Sequence, residues 1–168
     1  MHERTPQRAR LAVAVAIGAV GVVLAGAAIA TPGQLAVGTT EARGTLGEDQ
    51  IVNSKSGIHL KTKGSVDVAT QQITIQGGGH TGWHSHPGPV LVTIKSGALR
   101  VIYADDATCE GTVYGKDQSF IDRGDENVHI ARNASATEPI VLWATYLVPG
   151  TPLTTGFRID VPTAPSNC

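Results

Sequence analysis

Three histidines carry the clearest chemical signal in this sequence. His84 and His86 flank Ser85 in the segment Gly78-Gly79-His80-Thr81-Gly82-Trp83-His84-Ser85-His86-Pro87-Gly88-Pro89. On an extended strand, residues i and i+2 point to the same face. Two imidazoles on one face can reach a single metal ion, at about 2.0–2.1 Å for zinc. His129 follows 43 residues after His86, within Val128-His129-Ile130. That is a second strand candidate, and it can cross the same interior. An HxH pair also arises by chance in polar loops, so the elements that carry these residues decide its meaning.

Those elements read as β. From residue 57 onward, apolar and polar residues alternate in short runs. Strand candidates are 58–63, 66–68, 72–76, 90–95, 98–103, 112–114, 119–121, 128–131, 140–148 and 157–161. Gly77-Gly78-Gly79 reads as a break, and Ser96-Gly97 as a turn. About nine or ten short strands at close spacing, with Gly and Pro between them, indicate an all-β sandwich or barrel. No helix is expected after residue 31.

Set on these strands, the histidines resemble a known pattern. Gly78-x5-His84-x-His86-x3-Val90-x6-Gly97 resembles the first motif of the cupin superfamily, with Val90 where that family has Glu. Gly115-x5-Ile121, Gly124 and His129-x3-Asn133 resemble the second motif, with Ile121 at the family's Pro position and a longer Gly-to-His gap. The resemblance covers about residues 57–162. It implies a double-stranded β-helix, the conical jelly-roll barrel, with a metal site on inward-facing strand residues. Carried over position by position, His84, His86 and His129 match the metal-binding histidines.

Val90 has no donor atom, so the resemblance implies a three-His site in place of a four-ligand one. Three-His iron occurs in some cupins, among them thiol dioxygenases and diketone-cleaving dioxygenases. Three neutral ligands leave a divalent Fe, Mn, Ni or Zn ion with its full charge, which favours an anionic substrate or a chelating oxygen ligand. The implied activity is dioxygenase-like or isomerase-like; the alternative is a non-catalytic module that holds a small ligand. His80 and Glu126 are the other residues close enough in sequence to serve as a fourth ligand, but His80 is expected to face outward and Glu126 to be a solvated turn residue. Asp122, Asp125 and Glu126 cluster and leave acid–base chemistry open, although turns are acidic for ordinary reasons. Trp83 should face away from His84. Trp143 and Tyr146 have opposite parity, so one of them lines the cup; Tyr103 can do either. All four aromatics can equally be core. Asn133 is expected to support a turn.

Composition narrows the rest. The chain has 168 residues, 16% of them charged, and a formal net charge of −1. Arg4, Arg8 and Arg10 precede Leu11–Ala30, which contains 8 Ala, 3 Gly and only 4 Leu or Ile. Residues 1–30 therefore read as a signal peptide cleaved after Ala30, or else as an uncleaved signal anchor. Weak hydrophobicity favours cleavage. Either way the rest of the chain is expected outside the membrane, secreted or in the cell envelope. Residues 31–50 read as a linker or loosely attached arm, and 51–168 as one barrel domain. Without residues 1–30 the chain holds 10 basic and 13 acidic residues, which argues against nucleic-acid partners. The expected partner is a small molecule; a homodimer is compatible with the resemblance, and a membrane enters only through an uncleaved leader. Cys109 and Cys168 are the only cysteines. In an oxidising compartment they can form one disulfide, worth about 4 kcal/mol on chain-entropy grounds.

Overall fold

The structure, a computed structural model, describes residues 32–150, 156–161, 163, 165 and 168. The leader, residues 1–30, lies outside them. No helix among the described residues is long and apolar enough to cross a membrane. The described residues form twelve strands. These are β1 (Gln34–Leu46), β2 (Ile51–Asn53), β3 (His59–Lys61), β4 (Val66–His80), β5 (His84–Ser85) and β6 (Val90–Ser96), followed by β7 (Ala98–Tyr103), β8 (Thr112–Gly115), β9 (Ser119–Asp122), β10 (His129–Asn133), β11 (Ile140–Pro149) and β12 (Ile159–Asp160).

Pairing divides them into two halves. One runs β1-β4-β11-β6-β9 and the other β12-β5-β10-β7-β8. The halves join where His80, the last residue of β4, pairs with Arg132 of β10. All these pairs are antiparallel. The result is a nearly closed jelly-roll barrel, the double-stranded β-helix that the motifs imply. β2 and β3 form a separate hairpin.

Alternation sets the core. In β11, Ile140, Leu142, Ala144, Tyr146 and Val148 are buried and their neighbours half-exposed. In β6, Val90, Val92 and Ile94 are buried while Leu91 and Thr93 face solvent. These pack with Ile75, Leu99, Val101 and Ala131, so both halves feed one core. Burying an Ile such as Ile75 or Ile140 stabilises the fold by about 1.5–3 kcal/mol. Trp83, Ile102 and Ile130 form a second cluster, capped by Val161 and by the Cys109–Cys168 disulfide. Trp83 thus packs in this separate cluster, away from the one that Tyr146 joins.

Two expectations are corrected. Residues 34–46, assigned to a linker or loosely attached arm, form β1 and pair with β4 from Leu46↔Val66 to Ala36↔Ile75. The buried Asp67 of β4 receives an ion pair from Arg43 of β1. Only Ala36 and Leu46 of β1 are even half-buried, so the strand has no apolar period to read. The glycine run 77–79 does not end its strand either; β4 continues through it to His80. A Cβ on Gly77 would meet the Thr137 backbone at 2.5 Å. Glycine here permits close approach of another chain segment, and the strand bulges around it.

Candidate metal centre

The histidines are held by short, tightly constrained segments. His84 opens β5 and pairs directly with His129 at the start of β10. His86 follows β5, just before Pro87-Gly88-Pro89. The segment carrying His86 and the turn before His129 touch through two glycines: a Cβ on Gly124 (φ +74°) would lie 2.1 Å from the Gly88 carbonyl oxygen. Only glycine fits that contact.

All three histidines are buried. Their ring centroids are 4.8 Å (His84–His86), 4.4 Å (His84–His129) and 5.3 Å (His86–His129) apart. One ring nitrogen from each lies within 4.8 Å of the other two. The second nitrogens are engaged elsewhere. Nδ1 of His84 is 2.9 Å from the Gly82 carbonyl, Nδ1 of His86 2.6 Å from that of Phe157, and Nδ1 of His129 3.1 Å from that of Asn127. A carbonyl can only accept, so each Nδ1 must donate. In the neutral ring this leaves Nε2 as a bare lone pair. Burial, reinforced by neighbouring positive charge, pushes the His84 imidazolium down to about 2. Burial also pushes His86 down to about 4, although the Phe157 carbonyl works against it. Both rings are neutral at physiological pH, as metal ligation requires.

Asp122 lies beside the three-His group, on the Nδ1 side of His129. It is 2% exposed, and its Oδ1 accepts a 2.6 Å hydrogen bond from the Gly124 N–H. Oδ2 stands 2.9 Å from His129 Nδ1 yet completes no hydrogen bond of good geometry. Burial opposes ionisation of Asp122, but His129 and the Gly124 N–H outweigh it and hold the carboxyl below its ordinary range. Three histidines with fixed tautomers and converging ligand atoms fit a cation held at this place.

The histidines and Asp122 line a cavity of about 50 Å³ that also includes Val90 and Tyr146. A larger cleft of about 410 Å³ opens from His84, His86 and Tyr146 to Phe157 and Arg158. Tyr146 lies 5.3 Å from the His86 ring and stacks on Phe157 at 5.0 Å. Burial raises its phenol to about 12, so it stays protonated. Tyr103 is half-buried beside the group, 5.7 Å from the His129 ring, and burial likewise raises its phenol to about 12.

Trp143 does not line the cup; it lies on the half-exposed face of β11, opposite in parity to Tyr146. His80 stays outside the three-His group, and its Nδ1 accepts from the Gly82 N–H at 3.0 Å. Glu126 is exposed on its turn. Asn133 supports a turn as expected: its amide donates to the carbonyls of Ile75, Gln76 and Glu138, and its Oδ1 accepts from Ser135 N–H.

Two site residues, Phe157 and Arg158, escaped the sequence reading, and a third, Asp122, was read only as part of an acidic turn cluster. Asp122 was legible in principle, because it shares inward parity with Phe120 on β9. Phe157 and Arg158 carry no local signal, since their place depends on residues 156–161 returning to the cleft.

No protein-family model matches the chain, and no curated protein is similar to it. Similar solved structures include a cupin domain from Bordetella pertussis, at 19% identity, covering 70% of this chain and 95% of that one, with a TM-score of 0.43. A second is the cupin domain of an XRE-family transcriptional regulator from Enterobacter cloacae, at 17% identity, 70% and 100% coverage and a TM-score of 0.45. A third is the polyketide cyclase RemF from Streptomyces resistomycificus, at 13% identity, 56% and 60% coverage and a TM-score of 0.43. These likenesses concern the fold.

Proposed function

We propose that this protein binds one divalent ion through His84, His86 and His129 and presents it to a small oxygen-chelating molecule in the adjoining cleft. The observation that carries this reading is the set of three Nδ1–carbonyl contacts, which fixes every ring in the tautomer whose Nε2 can ligate. Fe, Mn, Ni and Zn all suit three imidazoles. Such an ion would supply Lewis-acid polarisation of a bound oxygen or, if redox-active, electron transfer.

The chain's own residues set the rest. Asp122 offsets the cation's charge from beside His129, whose ring the Asn127 carbonyl orients. Tyr146 and Phe157 give the ligand an apolar wall. If the site turns over substrate, dioxygenase-like or isomerase-like chemistry is the class it serves. A second reading is a non-catalytic ligand-binding module. It is favoured by the cavity lining: apart from Asp122 and the histidines, no ionised acid or base faces the cavity among the described residues. Product formation with a bound ligand distinguishes the two. We further propose that the domain works outside the cell or in the envelope, supported by the leader composition and the Cys109–Cys168 disulfide.

Metal analysis of the protein and its histidine variants tests the central reading. Near-stoichiometric metal that is lost with each histidine supports it; full metal retention in all three variants overturns it.

A further inference from the structure

The cleft has a charged end that the three-His site does not use. Arg158 lines it together with His84, His86, Tyr146 and Phe157. Its Nε donates to Asp160 Oδ1. Its Nη2 is enclosed by protein and makes no hydrogen bond among the described residues, while the side chain as a whole is 31% exposed. A buried guanidinium N–H without an acceptor is costly, and native structures keep few such groups. Asp160 engages only the Nε position of the fork. The remaining donors are the kind that recognise a carboxylate. The nearby Arg43 is not available for this role, because it is paired with Asp67 and lies over the Phe157 ring at 4.7 Å.

The wall between Arg158 and the histidines is aromatic. Phe157 stacks on Tyr146, and its own carbonyl accepts from His86 Nδ1. One segment therefore orients a histidine and places Arg158 on the same cleft. A volume of about 410 Å³ suits a small molecule.

We propose that Arg158 is the carboxylate-docking group of this cleft, and that the ligand is a small two-ended anion with a chelating oxygen end towards the histidines and a carboxylate on Arg158. The chelating half rests on the metal reading above; the Arg158 half does not. An apolar body between the two ends would lie along Tyr146 and Phe157. A neutral ligand of the same shape would forgo the charge-assisted contact with the guanidinium.

The test uses oxalate, malonate, succinate and glutarate as probes, each beside its monoamide. Co(II)-loaded full-length protein is titrated with each, and the visible absorption of the ion reports binding. At least one dicarboxylate should bind about tenfold or more tightly than its monoamide. That preference should vanish in Arg158→Gln and return in part in Arg158→Lys, with Co(II) content unchanged in both. No preference in the wild type, or one that survives in Arg158→Gln, overturns the proposal. If Co(II) does not bind, the metal reading has failed, and the Arg158 half is read by calorimetry on metal-free protein. Carboxylate binding there that is lost in Arg158→Gln upholds the docking role; its absence overturns it.

Discussion

Asp122 stands directly opposite Val90 in the β6–β9 pair. Directly paired residues in antiparallel strands project on the same face, and both of these line the cavity that holds the histidines. Position 90, which has no donor atom, thus has a carboxylate beside it on the facing strand. That carboxylate approaches His129, 2.9 Å from Nδ1.

This predicts a specific effect for Asp122→Asn. The substitution preserves shape and removes charge. Metal affinity, measured by competition with a chromophoric chelator, should fall about 10- to 100-fold, as for other carboxylates beside a liganding histidine. Unchanged affinity would remove Asp122 from the site. Val90→Glu supplies a second check. It places a second buried carboxylate beside Asp122, so it should destabilise metal-free protein more than the double variant Val90→Glu/Asp122→Val. Denaturant midpoints would show the difference.

What the sequence reveals here follows from what period-2 alternation can report. β6 and β11 were readable because one face of each is buried, and the histidine pair was readable from its residue types and i, i+2 spacing, its segment being buried on both faces. β1 was not, because nearly all of it is exposed and β4 holds it through the backbone. The pairing of Asp122 with Val90 is a register fact; it belongs to two strands and appears in neither alone. Arg158 is further removed, since it reaches the cleft only through a chain reversal.

Acid should weaken the metal-free fold. His84 and His86 are held at about 2 and about 4, against about 6.5 in an unfolded chain. Below that ordinary value the unfolded chain takes up protons that the folded state refuses. Their contribution is therefore complete above about pH 6.5 and is lost as pH falls towards the folded values. The loss is about 1.4 kcal/mol per pH unit for each group once the window is entered. Asp122, with its lowered carboxyl, acts in the same direction at still lower pH. Urea unfolding at pH 7.5, 5.5 and 4.5 should show a progressive fall of a few kcal/mol. A flat profile would contradict neutral burial of these two rings.

The disulfide should matter for stability and little for metal binding. It ties Cys168 to Cys109 across a sequence separation of 59 and caps the Trp83–Ile102–Ile130 cluster, outside the metal cavity. Cys109→Ser/Cys168→Ser should lose about 4 kcal/mol in denaturant unfolding while metal stoichiometry stays unchanged. Loss of metal from a variant that is still folded would show that the outer cluster sets the histidine geometry.

The most direct measurement is metal content by plasma mass spectrometry. It needs untagged protein from an oxidising compartment, alongside His84→Ala, His86→Ala and His129→Ala. The account predicts close to one divalent ion per wild-type chain and loss of that ion in each variant that remains folded by circular dichroism. Wild-type protein that takes up no ion even after reconstitution, or folded variants that all keep it, would contradict a metal centre at these three histidines.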